Sequence, residues 1–340
     1  MSYKTLLLRF TPRWAHRLGR DLYFALRLLP NVVYDTRRFL VHSGLNRSRN
    51  HKAEHAARVT LFYHQVEKGL SLATPRPGFG MGVIPRLLAD TEAYVRRYGW
   101  EHPATTAVCA LRAYVGFNDR AGQDVSFVTQ RLAAIEAACP GHAEALARAA
   151  GGTRHITREG LAAARQGTFS TLFNSRFSIR HFAPGTVPDA DIAAAVALAQ
   201  KTPSVCNRQT WQVHAFKDRG QIQQLMDIQA GGRGFSDNIA TLLVVACDLG
   251  QFVEVGERYQ AWIDGGMFAM SVCLALHDQG HGSCCLNWSK EAATDRRMRA
   301  AAALPGAAQI IMLIAVGVIP DELEVAYSFR PPVDTCLTWH

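Results

Sequence analysis

The chain has 340 residues, of which 48% are hydrophobic and 19% are charged, so it is a globular protein and not a disordered one. Its net charge of +9 belongs to residues 1–60, which contain 12 Lys and Arg against 3 Asp and Glu, whereas the remaining residues contain 25 of each. No stretch approaches the roughly 18 apolar residues of a membrane-spanning helix, and no secretory signal peptide is evident, so we expect a cytoplasmic protein. Because no nucleic-acid-binding motif is recognised and the body carries no excess charge, no nucleic acid partner is expected.

Residues 1–50 form a basic leader. At 100° per residue, residues 9–29 predict a helix with arginines on one face and apolar side chains beside them. The arginines are Arg9, Arg13, Arg17, Arg20 and Arg27, and the apolar residues are Phe10, Trp14, Leu18, Leu22, Ala25 and Leu29. Such a helix either lies in an anionic membrane interface, at the inner face of the membrane, or packs on its own domain or a partner chain. An Arg-rich, acid-poor leader is also typical of an organellar transit peptide.

Residues 51–165 are predicted to be a helical N-terminal region. Hydrophobic periodicity, with Pro and Gly between the segments, supports several successive helices. They cover residues 56–70, 85–98, 103–118, 125–138, 142–150 and 153–171. The Gly151-Gly152 pair marks the expected boundary to a second domain, which covers residues 166–340.

Three polar residues share one face at the end of the first of these helices. They are His64, Glu67 and Lys68, and a Pro- and Gly-rich turn follows at residues 75–80. The simpler interpretation is an exposed Glu67–Lys68 pair beside a structural turn. The alternative is a flap over a neighbouring site, with Lys68 or Arg76 facing a substrate anion. One His and one Glu are an incomplete ligand set, so no metal is expected.

Eight cysteines occur without a CxxC pair, which favours buried, reduced thiols in a cytosolic protein. The adjacent pair Cys284-Cys285 has two interpretations. It is either a redox-active pair or two thiols packed against a sheet, and burial is the commoner fate of free cysteine.

The stretch Arg176–Phe182 predicts an anion site. If it is extended, Arg176, Ser178 and Arg180 share one face while the residues between them turn inward. The guanidinium group suits phosphate and polarised carbonyl oxygens. A basic turn with two surface arginines is the other interpretation of these seven residues.

The elements that follow suggest an α+β domain. A helix is predicted to follow Thr186 and run to Gln200, and another covers residues 259–279 with Gly265-Gly266 allowing a close neighbour. Strands are predicted at 212–216, 241–247 and 310–318, a polar loop at 203–211 and a glycine-rich loop at 280–289.

In order and spacing, these motifs resemble the FMN-dependent nitroreductase family. They are Arg-x-Ser-Ile-Arg-x-Phe, Pro-Ser-x-x-Asn-x-Gln-x-Trp, a Gly-containing helix with a Gly-x-Gly-Ser-Cys exit, and a final Arg before prolines, over residues 170–332. The resemblance implies a nitroreductase-like α+β fold, with a mainly antiparallel central sheet flanked by helices. It also implies a homodimer with two FMN sites at the interface. Residues 64–80 look like the extra N-terminal region of nitroreductase-like proteins of bacterial surface polysaccharide clusters.

The resemblance assigns flavin contacts residue by residue. Arg176 and Arg330 would bind the phosphate with help from Ser178, and Arg180 would face the N1–C2=O edge of the ring, where a cation assists reduction. The remaining contacts would be Pro203, Ser204, Val205 and Asn207 from the partner subunit, and Leu286, Asn287 and Trp288 beside the ring.

The implied activity is an FMN-dependent oxidoreductase with NAD(P)H as hydride donor. Ping-pong transfer through flavin N5 would pass the hydride to a small acceptor, with no metal required. Two alternatives stay open. One is a flavin-consuming or reductive-dehalogenating member of the same fold, and the other is a non-catalytic flavoprotein scaffold at a membrane assembly.

Overall fold

The computed structural model describes residues 12–42 and 52–340, which form twelve α-helices and six strands. The helices are α1 (Arg13–His42), α2 (Lys52–Leu70), α3 (Ile84–Tyr98), α4 (Ala104–Arg120), α5 (Ser126–Ala138), α6 (His142–Ala147), α7 (Arg158–Arg165), α8 (Phe169–Ser175), α9 (Asp189–Ala199), α10 (Arg219–Gln229), α11 (Gln260–Asp278) and α12 (Ala292–Ala301). The strands are β1 (Thr153–Thr157), β2 (Trp211–Phe216), β3 (Thr241–Asp248), β4 (His281–Asn287), β5 (Ala308–Val318) and β6 (Glu322–Ala326). The predicted α+β fold with a helical N-terminal region is confirmed.

The N-terminal helices α2 to α5 enclose their own apolar core, which includes Val59, Leu87 and Leu111. The turn between α2 and α3 is fixed to α4 by two hydrogen bonds. The hydroxyl of Tyr114 donates to the carbonyl of Phe79 at 2.7 Å, and the side-chain oxygen of Asn118 accepts from the amide of Gly78 at 2.7 Å. The turn is therefore a fixed part of the helical region.

The central sheet has the strand order β2-β3-β5-β4, and all its neighbouring strands are antiparallel. Strand β3 is buried on both faces, which explains its continuous apolar sequence. Leu242 and Val244 face the core shared with α10 and α12, whereas Leu243 and Val245 face the core shared with α9 and α11. The sheet is thus a middle layer between two pairs of helices.

Two sequence predictions were wrong. Residues 153–171 do not form one helix, because 153–157 form β1, which pairs with β6 through Thr153 opposite Ala326. The hydroxyls of Thr157 and Thr168 then cap α7 and α8 separately. Residues 281–287 are not a loop but form β4. They pair with β5 on one side and are bridged to the extended Arg176–Phe182 stretch on the other, so their backbone is extended.

The leader helix α1 is longer than predicted and ends at His42, while Arg9 and Phe10 lie outside the described residues. The carboxylate of Asp35 pairs with Arg258 at 2.6 Å and attaches α1 to the C-terminal body. The apolar side of α1 stays exposed, with Trp14 67%, Leu18 62% and Leu29 61% accessible. None of the helices in the described part of the chain is long and apolar enough to span a membrane.

Helix α11 approaches the sheet closely at one of its two adjacent glycines. A Cβ atom at Gly265 would lie 2.5 Å from Cγ1 of Ile311 on β5 and 3.0 Å from the sulfur of Cys247 on β3. A Cβ atom at Gly266 would meet nothing within 4 Å. The sequence predicted a close neighbour for the pair, and the structure assigns it to Gly265 alone.

We expect Gly265→Ala to be about 1–3 kcal/mol less stable than Gly266→Ala, since only the first substitution overpacks the sheet. Both variants gain the same helix propensity, about 1 kcal/mol, so their difference isolates the steric effect. Urea unfolding of both variants and the wild type measures it. Equal stability of the two variants would show that Ile311 can move aside without cost.

Candidate functional site

The Arg176–Phe182 stretch is extended and lies along the free edge of β4. The amide of Ile179 donates to the carbonyl of Ser283 at 2.9 Å, and Ser178 is bridged to Ser283 in parallel. The ring of Phe182 packs on Gly317, where a Cβ atom would approach it to 2.6 Å. Phe177 and Ile179 turn into the core, which confirms the predicted alternation. The local backbone therefore holds the polar residues on the opposite side.

Three cations from two parts of the chain act electrostatically on the same buried thiol, that of Cys284. Arg176 and Arg180 come from the extended stretch, and Lys68 comes from α2; all three influence the Cys284 thiol electrostatically. Burial, and then the charge of Arg180, lower the pKa of Lys68. Like charges held together in this way favour an anion between them.

These three cations have no carboxylate partner among the residues that the structure describes. The Nε atom of Arg176 is buried without a hydrogen-bond partner, and Nη1 of Arg180 donates to the carbonyl of Ser178 at 3.4 Å. Buried donors are almost always satisfied in folded proteins. An acceptor from outside this set of residues, such as a phosphate or a polarised carbonyl, would satisfy them.

A buried histidine lies behind Arg176. Nε2 of His277 contacts the hydroxyl of Ser175 at 2.8 Å. Burial and the nearby charges of Arg165 and Arg176 lower the pKa of His277 to about 4, so the ring is neutral at pH 7. Nη1 of Arg165 is also buried without a partner. The positive charge of the site therefore comes from arginine and lysine, not from histidine.

The three residues at the end of β4 have different environments. Leu286 is buried in the core, and Asn287 is exposed with its carbonyl accepting from Gln229 at 3.2 Å. The indole of Trp288 is buried and donates to Asp295 at 2.8 Å. Of these side chains, Asn287 is the one on the accessible side.

Arg330 lies beyond β6, four residues after its last residue, Ala326. Burial raises the pKa of Tyr63 on α2, and the positive charge of Arg330 lowers it. Nη1 of Arg330 donates to the carbonyl of Ser328. The extended stretch brings together Arg176, Ser178 and Arg180, and the phosphate contact of Arg330 stays a prediction.

The loop of Pro203–Asn207 is attached to α11 near the start of that helix. The amide of Val205 donates to the buried carboxylate of Asp264 at 3.1 Å, and Ser204 accepts from the amide of Gln209 at 2.9 Å. Cys206, Asn207 and Gln209 have positive φ angles of 49°, 54° and 50°, a backbone conformation that is uncommon outside glycine. Asp264 precedes Cys273 by nine residues, about 14 Å along the helix. Thr202, directly before the loop, donates to Ser271 on the same helix at 2.6 Å, so the segment runs along α11.

The sequence did not predict the burial of the end of α2. Glu67 is fully buried, so the interpretation as an exposed Glu67–Lys68 pair is wrong. The shared face of His64, Glu67 and Lys68 was the available signal, and only the tertiary fold shows that Arg180 acts electrostatically on Lys68. Arg76, the other cation proposed there, is exposed.

Comparison with known proteins identifies the fold of this region. The model of the nitroreductase family matches residues 174–233 and 224–318. An FMN-dependent nitroreductase from Clostridium difficile R20291 is 20% identical, with a TM-score of 0.43, over 49% of this chain and 96% of that chain. A nitroreductase family protein from Streptococcus pneumoniae TIGR4 is 18% identical, with a TM-score of 0.44, over 51% of this chain and 100% of that chain. No curated protein is a significant sequence match.

The family match covers the extended arginine stretch, the sheet strands β2 to β5 and the helices between them. The C-terminal part of the chain therefore matches the nitroreductase family, as the order of its motifs indicated. The match to this family model suggests an oxidoreductase. The helical region before residue 140 lies outside the match.

Proposed function

We propose that the protein is an FMN-dependent oxidoreductase that takes a hydride from NAD(P)H and passes it to a small acceptor. The observation that supports this most is the group of Arg176, Arg180 and Lys68, which has no carboxylate partner in the described residues and includes a buried, unpartnered guanidinium nitrogen. These groups fit FMN, since it offers a phosphate and polarised carbonyl oxygens. Bound FMN would supply the hydride chemistry.

Different side chains of the site would bind the phosphate and stabilise the negative charge of the reduced flavin. Arg176 and Ser178 would bind the phosphate, because they lie on the accessible side of the anchored stretch. Arg180 and Lys68 would hold positive charge where negative charge develops during reduction, as oxyanion-binding groups do. The support of Arg180 is rigid, since the backbone of the neighbouring Ile179 is hydrogen-bonded to β4. From the sequence resemblance of residues 64–80 alone, we also propose that the acceptor belongs to surface polysaccharide metabolism.

The matched substitutions Arg176→Ala and Arg180→Ala should have different effects. Arg176→Ala should weaken FMN binding by about 10- to 100-fold, because a charge-assisted hydrogen bond contributes about 1.5–3 kcal/mol. Arg180→Ala should instead lower the flavin midpoint potential by about 40–80 mV, equivalent to about 2–4 kcal/mol for two electrons. Fluorescence titration with FMN and a potentiometric titration measure the two effects.

Arg297→Ala is the control, because Arg297 is exposed on α12 and its removal takes the same charge from the same domain. It should leave both quantities unchanged. Full FMN affinity in Arg176→Ala would reject the phosphate site, and an unchanged potential with a large loss of affinity in Arg180→Ala would make Arg180 a second phosphate ligand.

We further propose that the active form is a homodimer in which the Pro203–Asn207 loop completes the site of the partner. Two observations support it: no hydrogen bond in the described residues joins the loop to Arg176 or Arg180, and α11 exposes Trp262, Ile263 and Met267 next to the loop. Adjacent exposed apolar side chains mark interaction surfaces. NAD(P)H and the acceptor would then enter a site built from two copies.

Ile263→Arg should therefore give a monomer that retains less FMN, because it places a charge in the proposed interface. Leu61→Arg is the matched control, since Leu61 is 56% exposed on α2 and Ile263 is 53% exposed. Sedimentation velocity, followed at protein and flavin wavelengths, measures both. A flavin-saturated monomer of the wild type would reject the shared site.

The third proposal places the protein in the cytoplasm at the inner face of a membrane, with α1 as the contact. Trp14, Leu18, Leu22, Leu29 and Val33 are all more than half exposed. At 100° per residue they share an arc of about 100° on the helix. Arg20 and Arg27 lie on the other side of the same helix, so an anionic lipid surface would match both its apolar and its basic side chains.

Full-length protein should float with anionic vesicles and not with zwitterionic ones, and the double variant Leu18→Glu/Leu29→Glu should lose this binding. The reason is that both charges lie in the centre of the apolar arc while the basic side is unchanged. Vesicle flotation measures it, with FMN content as the check of folding. Equal flotation of both proteins would mean that α1 is covered by protein and not by lipid.

A further inference from the structure

Two cysteines that are twelve residues apart in the sequence meet at the edge of the anion site. The Sγ atom of Cys273 on α11 lies 3.4 Å from the Sγ atom of Cys285 on β4. A disulfide bond is about 2.05 Å long, so the two sulfurs need to approach by little more than an ångström to be joined. The adjacent residue Cys284 does not take part, because its side chain is buried on the other side of the strand.

The two thiols differ in access. Cys273 is 2% exposed, whereas Cys285 is exposed. Thiols that only fill space in this protein, such as Cys247 and Cys284, are buried. An exposed thiol in contact with a buried one has the arrangement of an attacking and a resolving cysteine.

The surrounding charges divide these roles further. A hydrogen bond from Cys273 lowers the pKa of Cys285, and the guanidinium groups of Arg176 and Arg180 lower it as well. The same hydrogen bond and burial raise the pKa of Cys273. Cys285 is thus the more readily ionised thiol and the expected nucleophile, and Cys273 is the thiol that follows in a second step.

We propose that Cys273 and Cys285 form a redox-active dithiol that reduces low-molecular-weight disulfides and becomes an intramolecular disulfide. The Cys285 thiolate attacks one sulfur of the substrate disulfide, forms a mixed disulfide and releases one thiolate. Cys273 then loses its proton and attacks Sγ of Cys285, and the second substrate thiolate leaves and takes up a proton. Two electrons pass from the protein sulfurs to the substrate, which ends as two thiols. The exchange needs no flavin and stands apart from the proposed oxidoreductase activity.

The proposal can be tested on the full-length protein with glutathione and its disulfide at graded ratios. After an acid quench and denaturation, free thiols receive one alkylating label, and a second label follows reduction. Trypsin releases residues 259–290 as one peptide, because no Lys or Arg lies inside it, and this peptide holds Cys273, Cys284 and Cys285. Fragment masses then assign each label, and Cys284 serves as the internal control.

As the oxidant increases, Cys273 and Cys285 should change together from the first label to the second, while Cys284 keeps the first. Cys273→Ser should leave Cys285 as a mixed disulfide with glutathione, and Cys285→Ser should leave Cys273 reduced. The exposed Cys336 reports the strength of the oxidant. Glutathione on Cys336 while Cys273 and Cys285 stay free, or a disulfide that includes Cys284, would overturn the proposal. Because no flavin is added, failure of FMN binding would leave this result unaffected.

Discussion

The candidate site depends on one packing interaction, the contact between Phe182 and the glycines of the two strands beneath it. A side chain at Gly317 would collide with the ring at 2.6 Å, and one at Gly282 would press on it at 3.1 Å. The missing side chains let the stretch before Phe182 lie flat along β4, where the Ile179 amide finds its partner. Arg176 and Arg180 are positioned by this anchoring, since their own side chains form no ion pair in the described residues. The packing of Phe182 on the two strands therefore positions the guanidinium groups of Arg176 and Arg180, which have no ion-pair partners in the described residues.

The N-terminal helices contribute directly to the same place. Leu72, just after α2, packs against the core of the C-terminal sheet, and the ring of His102 lies 5.8 Å from that of Phe329. These contacts hold the end of α2 over the domain and keep Lys68 near Arg180. The burial of Lys68 would be costly if its charge stayed uncompensated, which is the reason to consider an anion there. A helical region that the family match does not include is thus part of the site's electrostatics.

The sequence predicted the repeating features well and the contacts between distant segments poorly. Strand β3 and helix α11 were recognisable because their periodicity and apolar composition follow from burial on a regular backbone. Strand β4 was not, because His281, Gly282 and Ser283 have the composition of a turn and only the pairing with β5 makes them extended. The alternation of Arg176, Ser178 and Arg180 is local and was predicted correctly. Lys68 and Arg180, which interact electrostatically, are far apart in the chain, and Cys273 and Cys285 lie on different elements. No local pattern encodes either pair. The adjacent Cys284-Cys285 pair even pointed to the wrong partner.

The pairing of β1 with β6 has a consequence for the limits of the folding unit. One strand lies before the family match and the other lies after it, since the match ends at residue 318 and β6 begins at Glu322. A fragment cut to the matched residues would lose both strands, and one cut at residue 166 would keep β6 without its only neighbour in the described sheets. An unpaired strand with Leu323 and Val325 facing the core would expose backbone donors, acceptors and apolar side chains at once, the combination that leads to aggregation. The smallest soluble piece that retains the arginine site should therefore begin no later than Gly152, inside the segment that links the helical region to the sheet.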